Sequence, residues 1–254
     1  MITNTRSARE QAASDASNVY DNWHKLSKRY SHIFACPNTR RAVQHFDELL
    51  RQSVLGKRVL EIGCGTGDVA RRLASFGAAY VLAVDISETR IKEAKAHEIP
   101  GALEFAVADM SQPLEGIFDV IVGRAILHHL DYQEVLVRLS RTNLSEHGMM
   151  IFYEPLGSNP LMRLFQWWSR HAHTEDEHPF ERRDLRWLKK TFPDFTLIPV
   201  NFLSLPLGAL SSLIFKKPDN WILRVADRVD QVLAHVPWLR PYFRYGIFIV
   251  RRLW

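Results

Sequence analysis

Cysteine is scarce in this chain of 254 residues, because Cys36 and Cys64 are the only two. They stand in unrelated local contexts, which excludes a disulfide framework and the paired spacing of metal ligands, so the sequence predicts no metal site. An apolar run is also missing near the N-terminus, where residues 1–20 are polar, which argues against a secretory signal. We therefore expect a cytoplasmic protein whose residues 1–17 form a disordered lead-in.

Excess charge of one sign is confined to the last fifth of the chain. Residues 203–254 carry eight Lys or Arg against three Asp, while the rest of the chain is balanced. Such a segment suits RNA or an anionic membrane, although basic residues on solvated helix faces are the commoner explanation. Apolar residues make up 46% of the chain and charged residues 24%. These are the proportions of a globular protein, which predicts a single domain over 18–254.

Segments with the hydrophobic pattern of strands alternate with helical segments through the first two thirds of the chain. Strands are predicted at 58–62, 80–85, 103–108, 118–123 and 149–154, with helices at 68–76, 88–97 and 132–143. The alternation predicts a doubly wound α/β fold, a parallel sheet with helices on both faces. A sixth strand at 195–202 and a last strand at 244–251 follow, and the insertion between them holds a helix at about 220–234.

Polar residues and glycine mark the carboxyl ends of the predicted strands. Ligands of doubly wound sheets bind in the crevice beyond those ends. Five residues stand at or just past them: Gly63, Asp85, Asp109, Arg124 and Glu154. The sequence therefore predicts one ligand site at this edge of the sheet.

The first strand runs into a glycine-rich turn, Val59-Leu-Glu-Ile-Gly-Cys-Gly-Thr-Gly67. Glycine lets a backbone approach a bound nucleoside closely at a sharp strand-to-helix turn. The same turn fits the dinucleotide pattern G-x-G-x-x-A, so by itself it leaves a nicotinamide enzyme open. Glu61 before the first glycine and Ala108-Asp109-Met110 after the third strand separate the alternatives. With these features, the segment from Val59 to Glu154 resembles class I S-adenosylmethionine-dependent methyltransferases.

The resemblance implies a Rossmann-like sheet that is mostly parallel, with an antiparallel last strand. It assigns cofactor binding to a core over 57–154 and an N-terminal helical lid to 18–50. Residues 155–194 and the insertion 203–243 become helical elements on the substrate side. Three aromatic residues, Tyr20, Trp23 and Tyr30, then belong to the lid, although ordinary amphipathic packing explains at least some of them.

S-adenosyl-L-methionine is the cofactor that the resemblance implies. In this family the acid at Glu61 organises the loop that faces the methionine end, the acid at Asp85 accepts bonds from both ribose hydroxyls, and the acid at Asp109 lies near the adenine amino group. Capping of the following turn is the structural alternative for Asp109. The cofactor-binding residues that the resemblance predicts are Glu61, Gly63, Cys64, Gly65, Gly67, Asp85, Ile86, Asp109, Met110 and Arg124.

Three residues are candidates for handling a proton: His128, His129 and Glu154. Histidine can accept a proton near neutral pH, and Glu154 faces the expected substrate side. Methyl transfer from a sulfonium needs a base only if the acceptor is not already nucleophilic. The alternatives are helix-start packing for the histidines and a turn-holding carboxylate for Glu154. We expect His129 or Glu154 to matter.

The acceptor is predicted from missing motifs and from the insertion. DNA is disfavoured because no Asn/Asp-Pro-Pro-aromatic segment follows the fourth strand and the core has no Pro-Cys nucleophile. RNA is less favoured than a small or medium-sized, hydrophobic metabolite, such as a natural product or lipid-like acceptor, because no RNA-binding module is recognisable. A cofactor-binding member that does not methylate, cyclase-like or regulatory, is a further alternative.

The insertion 203–243 is apolar and basic, and residues 195–215 carry no charge. Proline and glycine interrupt that uncharged stretch, which disfavours a membrane-spanning helix. A peripheral membrane contact is one interpretation, because Trp221 and Trp238 with nearby arginines have the composition of an interfacial surface. A substrate cap and a homodimer interface are the others.

Overall fold

A computed structural model describes residues 5–15, 25–161, 163–164 and 177–251. Seven strands form one sheet in the order β3-β2-β1-β4-β5-β7-β6. The strands are β1 (Arg58–Ile62), β2 (Tyr80–Asp85), β3 (Leu103–Val107), β4 (Phe118–Arg124), β5 (Leu144–Pro155), β6 (Thr196–Val200) and β7 (Tyr245–Arg251). Strand β7 is antiparallel to both neighbours, and the β1–β5 pairings are parallel. This confirms the predicted Rossmann-like architecture and its antiparallel last strand.

Nine α-helices that begin and end within the described residues surround the sheet. They are α1 (Thr5–Asp15), α2 (Ser31–Phe34), α3 (Pro37–Val54), α4 (Asp68–Ser75), α5 (Glu88–Ala94), α6 (Tyr132–Thr142), α7 (Arg182–Thr191), α8 (Ser204–Ile214) and α9 (Trp221–Leu233). Short 3-10 turns cover Lys95–His97, Leu127–His129 and Arg240–Tyr242. None of the described helices is long and apolar enough to cross a membrane.

The sheet is buried on both faces, which explains why its central strands are almost continuously apolar. Along β1, Leu60 and Ile62 belong to the core on one face, and Val59 belongs to the core on the other. The alternation of side chains along a strand produces this division. Glu61 points to the same side as Val59 and is 2% exposed, so a carboxyl group lies inside the core.

The N-terminal segment differs from expectation. Residues 5–15, inside the predicted disordered lead-in 1–17, form helix α1. Their Ala, Arg, Glu and Gln side chains favour a helix, although they offer no apolar stripe. The helix is held by polar contacts instead, because Asp15 bonds to the Ser87 hydroxyl and Ser7 bonds to Asp109. Tyr20 and Trp23 lie outside the described residues.

The insertion 203–243 holds two α-helices, α8 and α9, where the sequence predicted one. Proline did not prevent α8, because Pro206 falls in the first turn, where a missing N–H costs little. Gly208 lets α8 approach α2 closely, since a Cβ atom there would lie 2.7 Å from the carbonyl oxygen of His32. The predicted helix at 220–234 is confirmed, and the Asn220 side chain caps it by accepting from the Leu223 N–H.

Candidate active site

A cavity of about 670 Å³ opens at the carboxyl ends of the central strands. Eleven of the predicted site residues line it: Glu61, Gly63, Cys64, Gly65, Asp85, Ile86, Asp109, Met110, Arg124, His128 and His129. Gly67, Glu154 and Tyr30 are not part of its wall. The strand order places the ends of β1, β2 and β4 side by side, which brings these separate segments together.

Glycines in the turn after β1 serve two different purposes. Gly67 has a φ of +84°, and a Cβ atom there would lie 2.6 Å from the Phe105 ring, so this glycine allows α4 to pack against β3. Gly65 has a φ of +54°, and the nearest atom to its Cβ position is the Arg90 Nη1 at 3.8 Å. The space above Gly65 is therefore cavity, which is where a bound cofactor would need the backbone to stay bare.

Glu61 is a buried carboxyl group at the base of this loop. Burial raises its pKa to about 8, against the opposing effects of nearby Arg72 and a backbone N–H bond from Ala70, and the charge of Asp85 raises it further. Its Oε2 atom is buried without a hydrogen-bond partner. An unsatisfied buried carboxyl oxygen is costly, so a polar group of a bound molecule would be stabilising here.

Asp85, at the end of β2, holds the loop together from the side. Its Oδ2 accepts the Gly65 N–H at 2.8 Å and its Oδ1 accepts the Ser87 N–H at 3.0 Å. Each carboxylate oxygen retains capacity for a second bond. The geometry is compatible with binding of ribose hydroxyls, and it adds a structural role that the sequence did not predict.

Asp109 follows β3 and combines a capping role with an open acceptor. Its Oδ1 accepts the Ser111 N–H at 2.8 Å and the Ser7 hydroxyl at 3.0 Å. Its Oδ2 is buried and has no hydrogen-bond partner. The turn contact is the one expected of a cap, whereas the unused oxygen is suited to an amino group such as that of adenine.

Glu154 lies behind His128 rather than in the cavity. Its Oε1 accepts the N–H groups of Ile126 and Leu127, both at 2.9 Å, and its Oε2 lies 2.8 Å from His128 Nδ1. A carboxylate accepts hydrogen bonds, so His128 Nδ1 carries the proton and Nε2 keeps its lone pair. Burial lowers the pKa of His128, and the charge of His129 lowers it further, despite Glu154. His128 is therefore a neutral imidazole.

His129 has a different environment. Its Nδ1 lies 3.1 Å from Oε2 of Glu10 on helix α1. Burial by itself would lower the pKa of His129, but the hydrogen bond and charge of Glu10, with the charge of Glu177, raise it overall. The rings of His128 and His129 lie in contact, tilted by 41° with centroids 4.1 Å apart. Protonation of His129 thus favours a neutral His128.

His128, His129 and Glu177 bring one potential metal-ligand atom each within 4.8 Å of one another. The cluster is the only such group among the residues that the structure describes. Each imidazole already directs its Nδ1 at a carboxylate, Glu154 or Glu10. The absence of a metal remains a prediction from the sequence.

The far wall of the cavity is aromatic and holds a buried cation. Phe34, Tyr153 and Tyr245 line it together with Arg244. The guanidinium of Arg244 lies over Phe34, 4.2 Å from the ring centre, and donates to the Ile33 carbonyl oxygen at 3.0 Å. The side chain is 2% exposed, its Nε has no hydrogen-bond partner, and no carboxylate of the described residues forms an ion pair with it. Arg124 is exposed at the rim and lies over the Tyr153 ring.

Helix α1 covers the cavity, and the sequence prediction missed it entirely. Arg6, Ser7 and Glu10 line the wall, and Ser7 and Glu10 contact the predicted site residues Asp109 and His129. The helix-favouring composition of 5–15 was the available signal. Without an apolar stripe, however, nothing in the sequence pattern placed this helix over the pocket.

Residues 27–193, more than half of the chain, match the model of the family described as "Methyltransferase domain". The chain belongs to this family. S-adenosylmethionine is therefore its cofactor, and the cavity fits: the turn at Gly65 leaves room, and Glu61 and Asp109 offer buried, unsatisfied oxygens. Membership also decides against the nicotinamide alternative.

Curated relatives resemble part of this methyltransferase chain. Ribosomal protein L11 methyltransferase of Thermotoga neapolitana is 33% identical over 107 residues, which cover 41% of this chain and 39% of the relative. Ubiquinone biosynthesis O-methyltransferase of Chromobacterium violaceum is 31% identical over 112 residues, 42% of this chain and 47% of the relative. The matches thus span less than half the length of these relatives.

Solved structures share the fold over a larger part of the chain. Magnesium protoporphyrin IX methyltransferase from Synechocystis is 16% identical with a TM-score of 0.59, covering 96% of this chain and 100% of that one. Phosphoethanolamine N-methyltransferase 2 from Haemonchus contortus, solved with S-adenosylhomocysteine, is 18% identical with a TM-score of 0.57, covering 83% and 53%. At these identities the likeness concerns the fold alone.

Proposed function

We propose that the protein transfers a methyl group from S-adenosylmethionine to a small or medium-sized hydrophobic metabolite, a natural product or lipid-like acceptor. The observation that carries the proposal is one continuous cavity. Its wall runs from the glycine turn to the aromatic side chains of Phe34, Tyr153 and Tyr245, and passes the neutral imidazole of His128. Donor and acceptor can therefore meet inside one space lined by protein.

The bound cofactor supplies a methyl group on a positively charged sulfur. The residues of this chain that would hold it are Glu61, Asp85, Asp109 and the backbone around Gly65. Their task is positioning, because an in-line displacement gains most of its rate from holding the two reacting atoms close and aligned. Helix α1 helps by excluding water from above.

His128 is the general base in this proposal, and Glu154 positions it. The Glu154 carboxylate fixes the tautomer, so that the Nε2 lone pair of His128 is available to take a proton from a hydroxyl or acidic carbon. His129, whose pKa is raised, is the weaker candidate for a base. The sequence favoured His129 or Glu154 as the residue that handles the proton. The proposal assigns that role to His128 instead and gives Glu154 the task of positioning it.

Arg244 favours an acceptor that carries a negative charge. A buried guanidinium without a carboxylate partner is costly, and pairing with a ligand anion offsets that cost. We therefore propose that the otherwise hydrophobic acceptor carries a negatively charged group, such as a carboxylate. Aromatic contacts to Phe34 and Tyr245 offset part of the cost in the free protein.

RNA methylation and a non-methylating role are the alternatives. The roof formed by α1 over the cavity favours a small acceptor, because a nucleotide within a polymer would have to displace it. Purified protein incubated with methyl-labelled S-adenosylmethionine and either a metabolite extract or total RNA separates the three. We expect label in an organic-soluble product. Label in acid-precipitable RNA supports the alternative acceptor, and no transfer to either fraction contradicts the proposal.

Once a substrate is known, two variants test the base. Glu154→Gln preserves the volume but presents an amide N–H to His128 Nδ1, which forces the other tautomer and removes the lone pair from Nε2. We expect His128→Ala and Glu154→Gln to lower turnover by about 10²–10⁴-fold with cofactor affinity kept. His129→Ala is the comparison and should cost less. Equal turnover of all three variants and wild type would exclude base catalysis by these residues.

The predicted absence of a metal is tested separately with EDTA. Loss of activity with this chelator would contradict that prediction.

A further inference from the structure

Exposed apolar side chains are concentrated in one segment of the chain. Of the fourteen large hydrophobic residues exposed in the described ranges, eight fall within 203–243: Leu210, Leu213, Ile214, Trp221, Val225, Val229, Val232 and Trp238. We call these eight residues the apolar face. An exposed concentration of this kind on a globular protein marks an interaction surface.

The geometry of α9 shows that the apolar face is not a by-product of packing. Trp221, Val225, Val229 and Val232 are spaced by four, four and three residues, which puts them on one side of the helix. The buried positions, Leu223, Ala226 and Asp230, lie on the opposite side. The helix therefore uses one side to join the fold and presents a second apolar side to solvent, where an ordinary amphipathic helix is polar.

Basic side chains border the apolar face. Lys216 and Lys217 occupy the connection between α8 and α9 and are exposed. Arg224 and Arg228 are exposed on α9, one helical turn apart and beside the apolar stripe. Tryptophan next to arginine and lysine is the composition of surfaces that lie at the boundary between lipid headgroups and acyl chains.

The acidic residues of the same region do not cancel this charge. Asp219 is shared by two arginines, at 2.8 Å from Arg224 Nε and 2.8 Å from Arg40 Nη2. Asp227 is paired with Arg41 at 2.6 Å. Asp230 is buried, and its carboxylate accepts the N–H groups of Phe202 and Leu203, which directly precede α8. The accessible electrostatic character of the border is therefore positive.

We propose that the apolar face docks on the surface of an anionic lipid membrane. Charge complementarity selects this occupant, because a basic border is attracted to acidic headgroups while Trp221 and the valines enter the interface. A second copy of the chain fits less well. A two-fold contact through the apolar face would bring the two basic borders together, which is unfavourable.

The docked surface is linked to the cavity through α2. Helix α8 packs on α2, where His32 Nδ1 lies 3.0 Å from the Ser211 hydroxyl and Gly208 meets the His32 carbonyl group. The last residue of α2, Phe34, lines the cavity. Docking would thus hold one wall of the pocket close to the lipid. The docking itself does not depend on the proposed acceptor, since it is measured without one.

Vesicle flotation with the full chain tests the proposal. The probes are phosphatidylcholine vesicles with and without phosphatidylglycerol. We expect binding to the anionic vesicles that decreases with salt. Lys216→Glu with Lys217→Glu should lower the partition coefficient about twentyfold or more, since each basic residue near the surface contributes about fivefold. Trp221→Ser with Val225→Ser should lower it about tenfold or more.

Matched controls come from elsewhere on the surface. Lys189 and Lys190 are an adjacent exposed pair on α7, and their change to Glu should leave vesicle binding nearly unaltered. Leu55→Ser is the apolar control, because Leu55 is exposed outside the face. S-adenosylhomocysteine affinity verifies that each variant is folded. Failure to bind anionic vesicles overturns the proposal, as does an equal loss in the controls. A dimer in light scattering that Trp221→Ser with Val225→Ser dissociates would assign the face to a second copy instead.

Discussion

Replacing Glu61 by Gln should raise the free energy of unfolding and weaken cofactor binding. Glu61 is buried, and its pKa is raised from 4.5 to about 8. Below pH 4.5 the group is protonated in both folded and unfolded chains. As the pH rises, the unfolded chain ionises first and the folded chain stays protonated, so wild-type stability falls until the pH passes about 8.

The size of the effect follows from the two pKa values. A shift of one pKa unit corresponds to about 1.4 kcal/mol, which puts the full loss at about 5 kcal/mol and the loss by neutral pH at about 3 kcal/mol. Glutamine cannot ionise, and it retains an oxygen for the Ala70 N–H. The Gln variant should therefore gain about 3 kcal/mol of stability relative to wild type between mildly acidic and neutral pH.

Cofactor binding should respond in the opposite direction. The methionine end of S-adenosylmethionine carries positive charge, which favours the ionised form of Glu61, so binding near neutral pH should release about one proton. Glutamine cannot carry a negative charge, so the affinity of the Glu61→Gln variant for S-adenosylmethionine should fall about 10–100-fold. Denaturant titrations over a pH series measure the stability difference. Calorimetry in two buffers of different ionisation enthalpy measures the number of protons that binding releases.

Two results would refute this reasoning about Glu61. One is a stability difference between wild type and Glu61→Gln that does not change with pH. The other is a binding enthalpy of wild type that is independent of the buffer. Arg72 and Asp68 also act on the group, so Asp68→Asn, which removes a charge that raises the pKa, should shift the pH profile slightly towards lower pH.

Three further predictions concern the cavity wall. Gly65→Val should abolish S-adenosylhomocysteine binding in calorimetry while circular dichroism shows a folded protein, because the new side chain fills the space above the turn; normal affinity would discredit the glycine argument. Asp109→Ala should weaken cofactor binding by about 1–2 kcal/mol, since it removes an acceptor and the Ser7 contact, and an unchanged dissociation constant would remove Asp109 from the site. Arg244→Met should raise KM for an anionic acceptor about tenfold or more, with a smaller effect on the methyl ester of the same acceptor and partial rescue by Arg244→Lys; equal effects on both acceptors would indicate a structural role only.

The cofactor half of the molecule was largely predictable from sequence. The turn around Gly65 and the acids Asp85 and Asp109 are local signals at strand ends, and a parallel sheet must bring such ends together. The predicted bounds of β1 and β2 agree with the structure, and the antiparallel β7 is confirmed. Their contributions to binding stay predictions until the variants are measured.

The roles within the histidine cluster needed the structure. Glu154 ends a strand, as the other candidates do, yet it points behind His128 and binds two backbone N–H groups. Glu154 lies away from the cavity wall because the turn after β4 folds back on β5. The contacts that hold it there join residues 26 to 28 positions apart in the sequence. Spacing along the chain contains no information of that kind.

The sequence by itself determined the family, the sheet and the cofactor, because short-range patterns encode each of them: alternation of strands and helices, glycine at a tight turn and acids at strand ends. Tertiary structure alone decided which imidazole is neutral, that α1 covers the pocket, that Arg244 is a buried cation with no carboxylate partner among the described residues, and that Trp221 and its neighbours face solvent. Those properties arise from burial and from the packing of distant segments, and a side chain's pKa or exposure is set by what surrounds it in space rather than by its neighbours along the chain.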